Sequence, residues 1–260
     1  MRSQSNSDDI TTDTINDLVV LGRAGPELIS DGRHTVCLGG WSDKKGFVRI
    51  YPTHRYTSHA KRWNVIEVPV EQDPSHDWRD ESWKIQGSKR DWDDLYKKVE
   101  QVGRLDRDDR IELTKQIPKT CANRLNDEKK SMGLVEPAEI HDAYLEPIDD
   151  PEPIATDLTG EELRSKNSYP HKLRIEYTCE DCEAKGNHDQ HTIEWGIYRF
   201  WDKEPDNPEQ VINNLRLLDD DYKKYFFIGN LKNQPRAFVI ISIIRWKKED
   251  VEQRSLDQFI

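Results

Sequence analysis

A run of eight residues near the C-terminal end, AFVIISII from Ala237 to Ile244, constrains the fold more than any other feature of this sequence. Every position except Ser242 is apolar. A strand of this kind has both faces buried, whereas a strand with one face in water alternates apolar and polar residues. The run therefore predicts a central strand with other parts of the chain packed on both of its faces.

The composition favours a folded chain with modest cores and a heavily charged surface. Hydrophobic residues make up 34% of the 260 positions and charged residues also 34%, which is polar for a globular protein. Eight Trp, nine Tyr and six Phe are too many aromatic residues for a disordered chain. The net charge of −11 disfavours non-specific coating of nucleic acid. With neither a secretory signal nor a long apolar run, we expect a cytoplasmic protein without a membrane partner.

The periodicity along the chain predicts an α+β fold. Two β-rich runs, HTVCLGGW and GFVRIYP, flank a turn that Gly46 closes, and WNVIEVPV follows as a third strand. These runs predict a small antiparallel β-sheet or partial barrel. Helical periodicity replaces them over residues 91–130. The second half of the chain then predicts a β-hairpin, a helix and another β-hairpin.

Changes in composition divide the chain into five predicted segments. Residues 1–17 are polar and predict a disordered tail, and 18–135 predict a β-rich and then helical N-terminal domain. Residues 136–166 are acidic and contain several prolines, which predicts an extended linker or a long surface loop. Residues 167–247 predict a C-terminal α+β domain, and 248–260 a tail.

The C-terminal tail ends in QRSLDQFI and carries large apolar side chains on an otherwise polar segment. One helical turn places Leu256, Phe259 and Ile260 on a single face, with Gln253 on the adjoining side. This pattern predicts a short helical ligand for a groove on another protein. The alternative is a final helical turn that packs on its own domain.

This tail resembles the clamp-interacting peptide, or PIP box, of archaeal and eukaryotic DNA replication and repair proteins. In that motif a glutamine is followed by an aliphatic residue at +3 and by bulky apolar or aromatic residues at +6 and +7. Gln253, Leu256 and Phe259 match the first three positions, and Ile260 stands where a second aromatic residue is commoner. The resemblance implies binding to a sliding clamp (PCNA). It covers eight residues and implies nothing about the rest of the chain.

A Cys-x2-Cys-x5-His-x2-His spacing between two predicted strands indicates a structural zinc site. The candidate ligands are Cys179, Cys182, His188 and His191. The spacing is compact, so either histidine could be spare, with Glu180, Asp181 or Asp189 as alternative ligands. The alternative to a metal site is a polar hairpin tip with incidental thiols. Cys37 and Cys121 have no ligand-like neighbours in the sequence and are interpreted as small buried hydrophobes.

A basic and aromatic stretch from Arg33 to Trp63 predicts contact with nucleic acid. It contains seven Lys or Arg and one Asp, interleaved with histidines and aromatic rings. Phosphate contact and base stacking require this combination of side chains. The expected contact residues are Arg49, Tyr51, Arg55, Tyr56, Lys61 and Arg62. The alternative is a solvated strand surface whose arginines pair with carboxylates elsewhere.

The sequence contains no ATP-binding, dinucleotide-binding or α/β-hydrolase motif. Glu194 is the one candidate for a catalytic base, since it follows His191 by three residues. The predicted function is a clamp-associated accessory protein in DNA repair or replication with a face that contacts DNA. The alternatives are a metal-dependent nuclease or related hydrolase acting on DNA, and a protein-interaction subunit without DNA contact.

Overall fold

The computed structural model describes residues 10–257 except positions 30, 31, 56, 58, 157–159, 161, 181 and 183–185, and over 253–257 it describes the backbone alone. Strands and helices are both present, as predicted, and strands form the larger share. None of the described helices is long and apolar enough to cross a membrane.

The first part of the chain forms a closed five-stranded barrel. Its sheet contains β1 (Thr11–Arg23), β2 (Glu27–Leu28), β3 (His34–Ser42), β4 (Gly46–His54), β5 (Asn64–Gln72), β6 (Ser82–Ile85) and β7 (Glu100–Arg104). The barrel order is β1-β3-β4-β6-β5, and β5 pairs with β1 to close it. β4 and β6 are parallel, and the other pairs are antiparallel. A barrel topology carries no function by itself.

Strand β1 begins earlier than the sequence predicts. The segment predicted as a disordered tail reaches residue 17, but Thr11 already pairs with Gln72 of β5. Ile15 is buried among the aliphatic side chains that fill the barrel. Burial of this side chain and the ladder to β5 together explain why these polar residues form a strand.

The second half of the chain forms two three-stranded sheets and a short hairpin. Their strands are β8 (Met132–Val135), β9 (Pro137–Pro147), β10 (Ala155–Thr156), β11 (Glu162–Leu163), β12 (His171–Cys179), β13 (His188–His191), β14 (Tyr222–Leu231) and β15 (Gln234–Lys247). The sheet orders are β15-β14-β8 and β13-β12-β9, and β10 pairs with β11. The α-helices of the chain are α1 (Trp92–Leu95), α2 (Arg107–Gln116), α3 (Ala122–Asp127), α4 (Trp195–Lys203), α5 (Gln210–Asn214) and α6 (Lys248–Asp257).

The acidic segment predicted as a linker or surface loop contains a long strand. β9 pairs with β12 along almost its whole length. Ala143 is buried and Leu145 is partly buried in the core beneath this sheet. The two residues are two positions apart and therefore share one strand face, while the acidic side chains take the other positions.

The apolar run at 237–244 lies in β15 and is buried on both faces, as its composition predicts. Ile240 packs in one core with α4 and the β12 sheet, and Ile241 packs in another core between β15 and the barrel. The strand is nevertheless at the end of its sheet, because β15 pairs with β14 alone. The segment before α4 covers its free edge, where the Ile193 N–H donates to the Ile240 carbonyl at 2.7 Å.

Candidate metal centre and nucleic-acid interface

The hairpin of β12 and β13 brings a group of potential metal ligands together near its tip. Cys179 ends β12, and His188 begins β13. The ligand atoms of Cys179, Cys182 and His188 all lie within 4.8 Å of one another. The Cys182 Sγ is 3.2 Å from the His188 Nε2. This group could hold a metal ion, and it contains three of the four ligands that the spacing predicts.

A third thiol reaches the same place from a distant part of the chain. Cys121 directly precedes α3, and its Sγ lies 3.6 Å from the Sγ of Cys182. Cys121 is buried, as interpreted from the sequence. That interpretation does not include its contact with Cys182. No local spacing relates position 121 to the hairpin, so the sequence offers no signal for this contact.

The surroundings of Cys179 oppose the ionisation of its thiol unless a cation is present. Burial, followed by the neighbouring thiols of Cys182 and Cys121, raises the pKa of Cys179 to about 12. Burial lowers the pKa of His188, which favours the neutral imidazole that binds metals. The Asn123 amide donates a hydrogen bond to the Cys182 Sγ over 3.8 Å. A bound divalent cation would favour the thiolate over the thiol, because the thiolate is the form that binds a metal.

The other predicted ligands lie away from this group. His191 is at the far end of β13, where it pairs with Arg174 of β12. The alternative ligand Asp189 forms an ion pair with Arg174 at 2.8 Å. Glu180 does not join the group, and Asp181 lies outside the described residues. Among the described residues, the chain thus brings together two cysteines and one histidine of the predicted set.

The second half of the chain covers the outer face of β3 and β4, where nucleic-acid contacts are predicted. Phe47 stacks on Phe227 with 5.8 Å between ring centroids, and a Cβ added to Gly39 would lie 2.5 Å from the same Phe227 ring. Arg49 is 2% exposed and donates from Nη2 to the Ser131 carbonyl at 3.0 Å. Arg49 therefore does not lie on an exposed surface that a nucleic-acid strand could follow, and the prediction for this residue is corrected.

The side chains of Arg62 and Glu194 bind the free edge of β15. Arg62 Nη1 donates to the Ile243 carbonyl at 2.9 Å and to the Ser242 hydroxyl at 2.8 Å, and it lies 3.4 Å from Glu194 Oε1. Glu194 Oε2 accepts the Ile243 N–H at 2.7 Å. Both side chains thus satisfy backbone groups that an edge strand leaves unpaired. This arrangement gives Glu194, predicted as a catalytic base, and Arg62, predicted as a DNA contact, a structural role at the strand edge.

The remaining predicted contact residues differ in their accessibility. Lys61 is exposed, whereas Tyr51 is half-buried and its hydroxyl accepts a hydrogen bond from Thr35 at 3.3 Å. Tyr56 lies outside the described residues. Arg55 lines a cleft between the barrel and α4. The described members of the predicted set therefore differ in burial, and Arg55 is the one among them that lines the cleft with Trp195.

The cleft at Arg55 has a volume of about 310 Å³ and combines cations with aromatic rings. Its rings and arginines are Tyr169, Trp195, Tyr198, Trp201, Arg55, Arg164 and Arg199. Arg199 is largely exposed, with 59% of its side chain accessible. Two carboxylates also line the cleft, and Asp202 lies 4.0 Å from both Arg164 and Arg199. We call this site the Arg55 cleft.

The predicted clamp-binding residues fall at the end of the described chain or beyond it. α6 directly follows β15, and its first turns are held by the buried Val251 and by an ion pair between Asp250 and Arg107. The predicted contacts whose side chains lie outside the description are Gln253, Leu256, Phe259 and Ile260.

A family model described as "Domain of unknown function (DUF8758)" matches residues 14–116, from within β1 to the end of α2. No curated protein and no solved structure matches the chain. The matched part holds the barrel, whereas the cysteine and histidine group and α4 lie beyond it.

Proposed function

We propose that the protein is a clamp-associated accessory factor in DNA repair or replication, and that it contacts nucleic acid through the Arg55 cleft. The observation that carries the proposal is the meeting of Arg55, Arg199 and the half-buried Trp195 in one cleft. The other three rings of the cleft are buried in the core and form its floor. Arginines neutralise phosphates, and bases stack on aromatic rings with little dependence on sequence. This combination supports contact with an exposed, single-stranded segment.

Within the cleft, different residues suit different parts of a nucleic acid. Trp195 is half-buried and lies at the first position of α4, next to the exposed Arg199 side of that helix. The Arg23 guanidinium lies 4.5 Å from the centroid of the Trp195 ring. We assign base stacking to Trp195 and phosphate contact to Arg55 and Arg199. The two carboxylates limit the positive charge, so the expected affinity is weak and strongly dependent on salt.

A weak nucleic-acid site suits a protein that is held at its place of action by a tether. The tail from Gln253 to Ile260 supplies such a tether if it binds a sliding clamp, as its resemblance implies. Binding through the tail raises the concentration of the Arg55 cleft near DNA, so the cleft need not bind tightly by itself.

We further propose that the metal is a structural zinc ion with four protein ligands. Those ligands are Cys121, Cys179, Cys182 and His188. Tetrahedral zinc with Zn–S and Zn–N distances of about 2.3 and 2.0–2.1 Å places two sulfur ligands about 3.8 Å apart, and a sulfur and a nitrogen about 3.6 Å apart. The observed separations of 3.6 Å between Cys121 and Cys182 and of 3.2 Å between Cys182 and His188 are close to these values. Cys121 is not within 4.8 Å of all three other ligand atoms, so its thiol must move toward the ion when the metal binds. Four protein ligands leave no open position, which supports a structural and not a catalytic role.

Fluorescence anisotropy with labelled single-stranded and duplex oligonucleotides tests the nucleic-acid part of the proposal. We expect binding at low salt that weakens as salt increases. Because stacking is worth about 1–3 kcal/mol per base, Trp195→Ala should weaken binding by about 5–150-fold. Arg199→Glu should weaken it as well, whereas Arg90→Glu, an exposed arginine outside the cleft, is the matched control.

Two results would contradict the proposal and favour a protein-interaction subunit instead. One is the absence of binding even at low salt. The other is equal binding by the cleft variants and by Arg90→Glu, with all variants folded by circular dichroism.

A further inference from the structure

A second cavity, of about 370 Å³, lies between the outer face of β3 and β4 and the hairpin of β14 and β15. It is separate from the Arg55 cleft and from the cysteine and histidine group. Its charged lining residues are Arg49, Arg79, Lys166, Lys232 and Glu27. Cations thus outnumber carboxylates in a site that both halves of the chain enclose.

Arg49 is the unusual member of this lining, because its buried guanidinium is in no ion pair of the described residues and only the nearby charges of Asp77 and Glu81 partly offset its burial. Two other cations have carboxylate partners, since Arg79 pairs with Asp77 at 2.6 Å and Lys166 pairs with Glu27 at 2.8 Å. Among the described residues no carboxylate forms an ion pair with Arg49, and its Nη1 has no hydrogen-bond partner. Burial lowers the pKa of Arg49. A guanidinium in this position is costly unless an anion joins it.

Asn230 places an unpartnered acceptor in the same cavity. It is 6% exposed, and its Nδ2 donates to the Pro235 carbonyl at 2.9 Å. Its Oδ1 is buried without a hydrogen-bond partner. The backbone carbonyl of Asn230 already accepts a hydrogen bond, since Arg79 Nη1 donates to it at 3.1 Å. Two residues that line the cavity thus each contain a buried polar atom without a partner, a cationic donor on Arg49 and a neutral acceptor on Asn230.

The neighbouring position 229 is a glycine, and this leaves room for the Arg49 guanidinium. A Cβ added to Gly229 would lie 3.0 Å from Arg49 Nη2 and 2.7 Å from Ile241 Cδ1. A side chain there would displace the guanidinium or the core residue behind it. The backbone of β14 is thus shaped around the arginine at this point.

We infer that this cavity binds a small organic anion. A carboxylate or phosphate group of the ligand joins the Arg49 guanidinium, whose planar donor pair suits either oxyanion. An N–H or O–H group of the same ligand donates to Asn230 Oδ1. The inference does not depend on the tail, the Arg55 cleft or the metal, and it gives the fold a ligand site between its two halves.

The test is thermal unfolding of the full chain in the presence of inorganic phosphate, adenosine monophosphate or citrate, each against sodium chloride at equal ionic strength. A ligand that binds the folded state raises the unfolding temperature in proportion to the logarithm of its concentration. We expect one or more of these anions to raise it beyond the sodium chloride reference. A response to inorganic phosphate indicates a site for a bare phosphate, whereas a response to adenosine monophosphate alone indicates a phosphorylated molecule. A response to citrate indicates a carboxylate ligand.

Arg49→Met is the decisive variant, because it keeps the volume of the side chain and removes its charge. Loss of a charge-assisted hydrogen bond corresponds to about 10–100-fold weaker binding, so the anion response should disappear. Without ligand, Arg49→Met should unfold at the same temperature as the unaltered chain or at a higher one, since an unpaired buried charge is removed. Asn230→Leu should weaken the response, and the exposed Arg90→Gln should preserve it.

The inference is overturned if no anion raises the unfolding temperature above the sodium chloride reference. It is also overturned if Arg49→Met responds to the anion as the unaltered chain does. A ligand-free Arg49→Met that unfolds at a much lower temperature would indicate that the guanidinium serves the fold and not a ligand.

Discussion

The Sγ atoms of Cys121 and Cys182 lie 3.6 Å apart although 61 residues separate them in the sequence. The contact connects the start of α3 to the hairpin of β12 and β13. A sulfur–sulfur distance of this size is far longer than a disulfide bond and close to the edge of a tetrahedral zinc site. The pair therefore brings two segments together beside the group that could hold a metal ion.

Substitution of Cys121 should disrupt zinc binding although this residue lies outside the Cys-x2-Cys motif. We expect one zinc per chain by atomic emission, and an affinity loss in Cys121→Ser greater than the roughly 10–100-fold typical of outer-shell changes. In the cobalt-substituted protein, the sulfur-to-cobalt charge-transfer band should weaken, because one of three thiolates is lost. His191→Gln should leave both readouts unchanged. Unaltered zinc affinity and cobalt spectrum in Cys121→Ser would exclude Cys121 as a ligand.

The cysteine and histidine group shows what a sequence can and cannot indicate. The Cys-x2-Cys turn and His188 are close in sequence, so their spacing alone predicts that they meet. Cys121 has no local partner, and only the packing of α3 against the hairpin brings it near Cys182. His191 fits a zinc motif by spacing, but its place at the far end of β13 puts it outside the group.

Within the basic stretch, the burial of Arg49 could not be predicted for a different physical reason. Strand alternation correctly separates Val48 and Ile50, inside the barrel, from Arg49. The sequence gives no sign that the face containing Arg49 is covered by β14 and β15. A basic residue on a strand is normally solvated, so its burial in this protein follows from tertiary packing that local pattern does not encode.

Glu194 should stabilise the fold through its hydrogen bond to the edge of β15. Glu194→Ala removes the acceptor of the Ile243 N–H and leaves the part-buried Arg62 without its carboxylate. We expect the free energy of unfolding to fall by about 2–4 kcal/mol, since a buried donor and a cation both lose a partner. Urea denaturation followed by tryptophan fluorescence measures the change. Glu100→Ala, an exposed position on β7, is the control and should change it by less than about 0.5 kcal/mol.

A stability change in Glu194→Ala no larger than that of Glu100→Ala would contradict the structural role of Glu194. If divalent-metal-dependent DNA cleavage were then found and lost in this variant, a nuclease function would replace the accessory-factor proposal.

His191 should make stability depend on pH in the mildly acidic range. Burial, followed by the nearby charges of Lys172, Lys166 and Arg174, lowers its pKa to about 4, and Glu146 opposes the shift. Between about pH 4 and the unfolded value of about 6.5, the unfolded chain binds a proton that the folded chain does not. The free energy of unfolding should therefore fall as the pH decreases through this window, by up to about 3 kcal/mol from this residue.

The contribution of His191 can be isolated by comparison with His191→Gln, which does not titrate. Denaturation between pH 4 and pH 8 should give a steeper acid-side decline for the unaltered chain than for the variant. The two curves should be parallel above about pH 7, where the histidine and the glutamine are both neutral. Parallel curves over the whole range would show that His191 has an ordinary pKa in the folded chain.

Recruitment to a sliding clamp is the central claim of the proposed function, and calorimetric titration of a sliding clamp tests it most directly. The intact chain should bind with micromolar or tighter affinity, which corresponds to about −8 kcal/mol or more. A chain ending at Glu252 keeps the buried Val251 and lacks Gln253 to Ile260, so it should remain folded and lose binding. Equal binding by the truncated chain, or no binding by the intact chain, would contradict the claim.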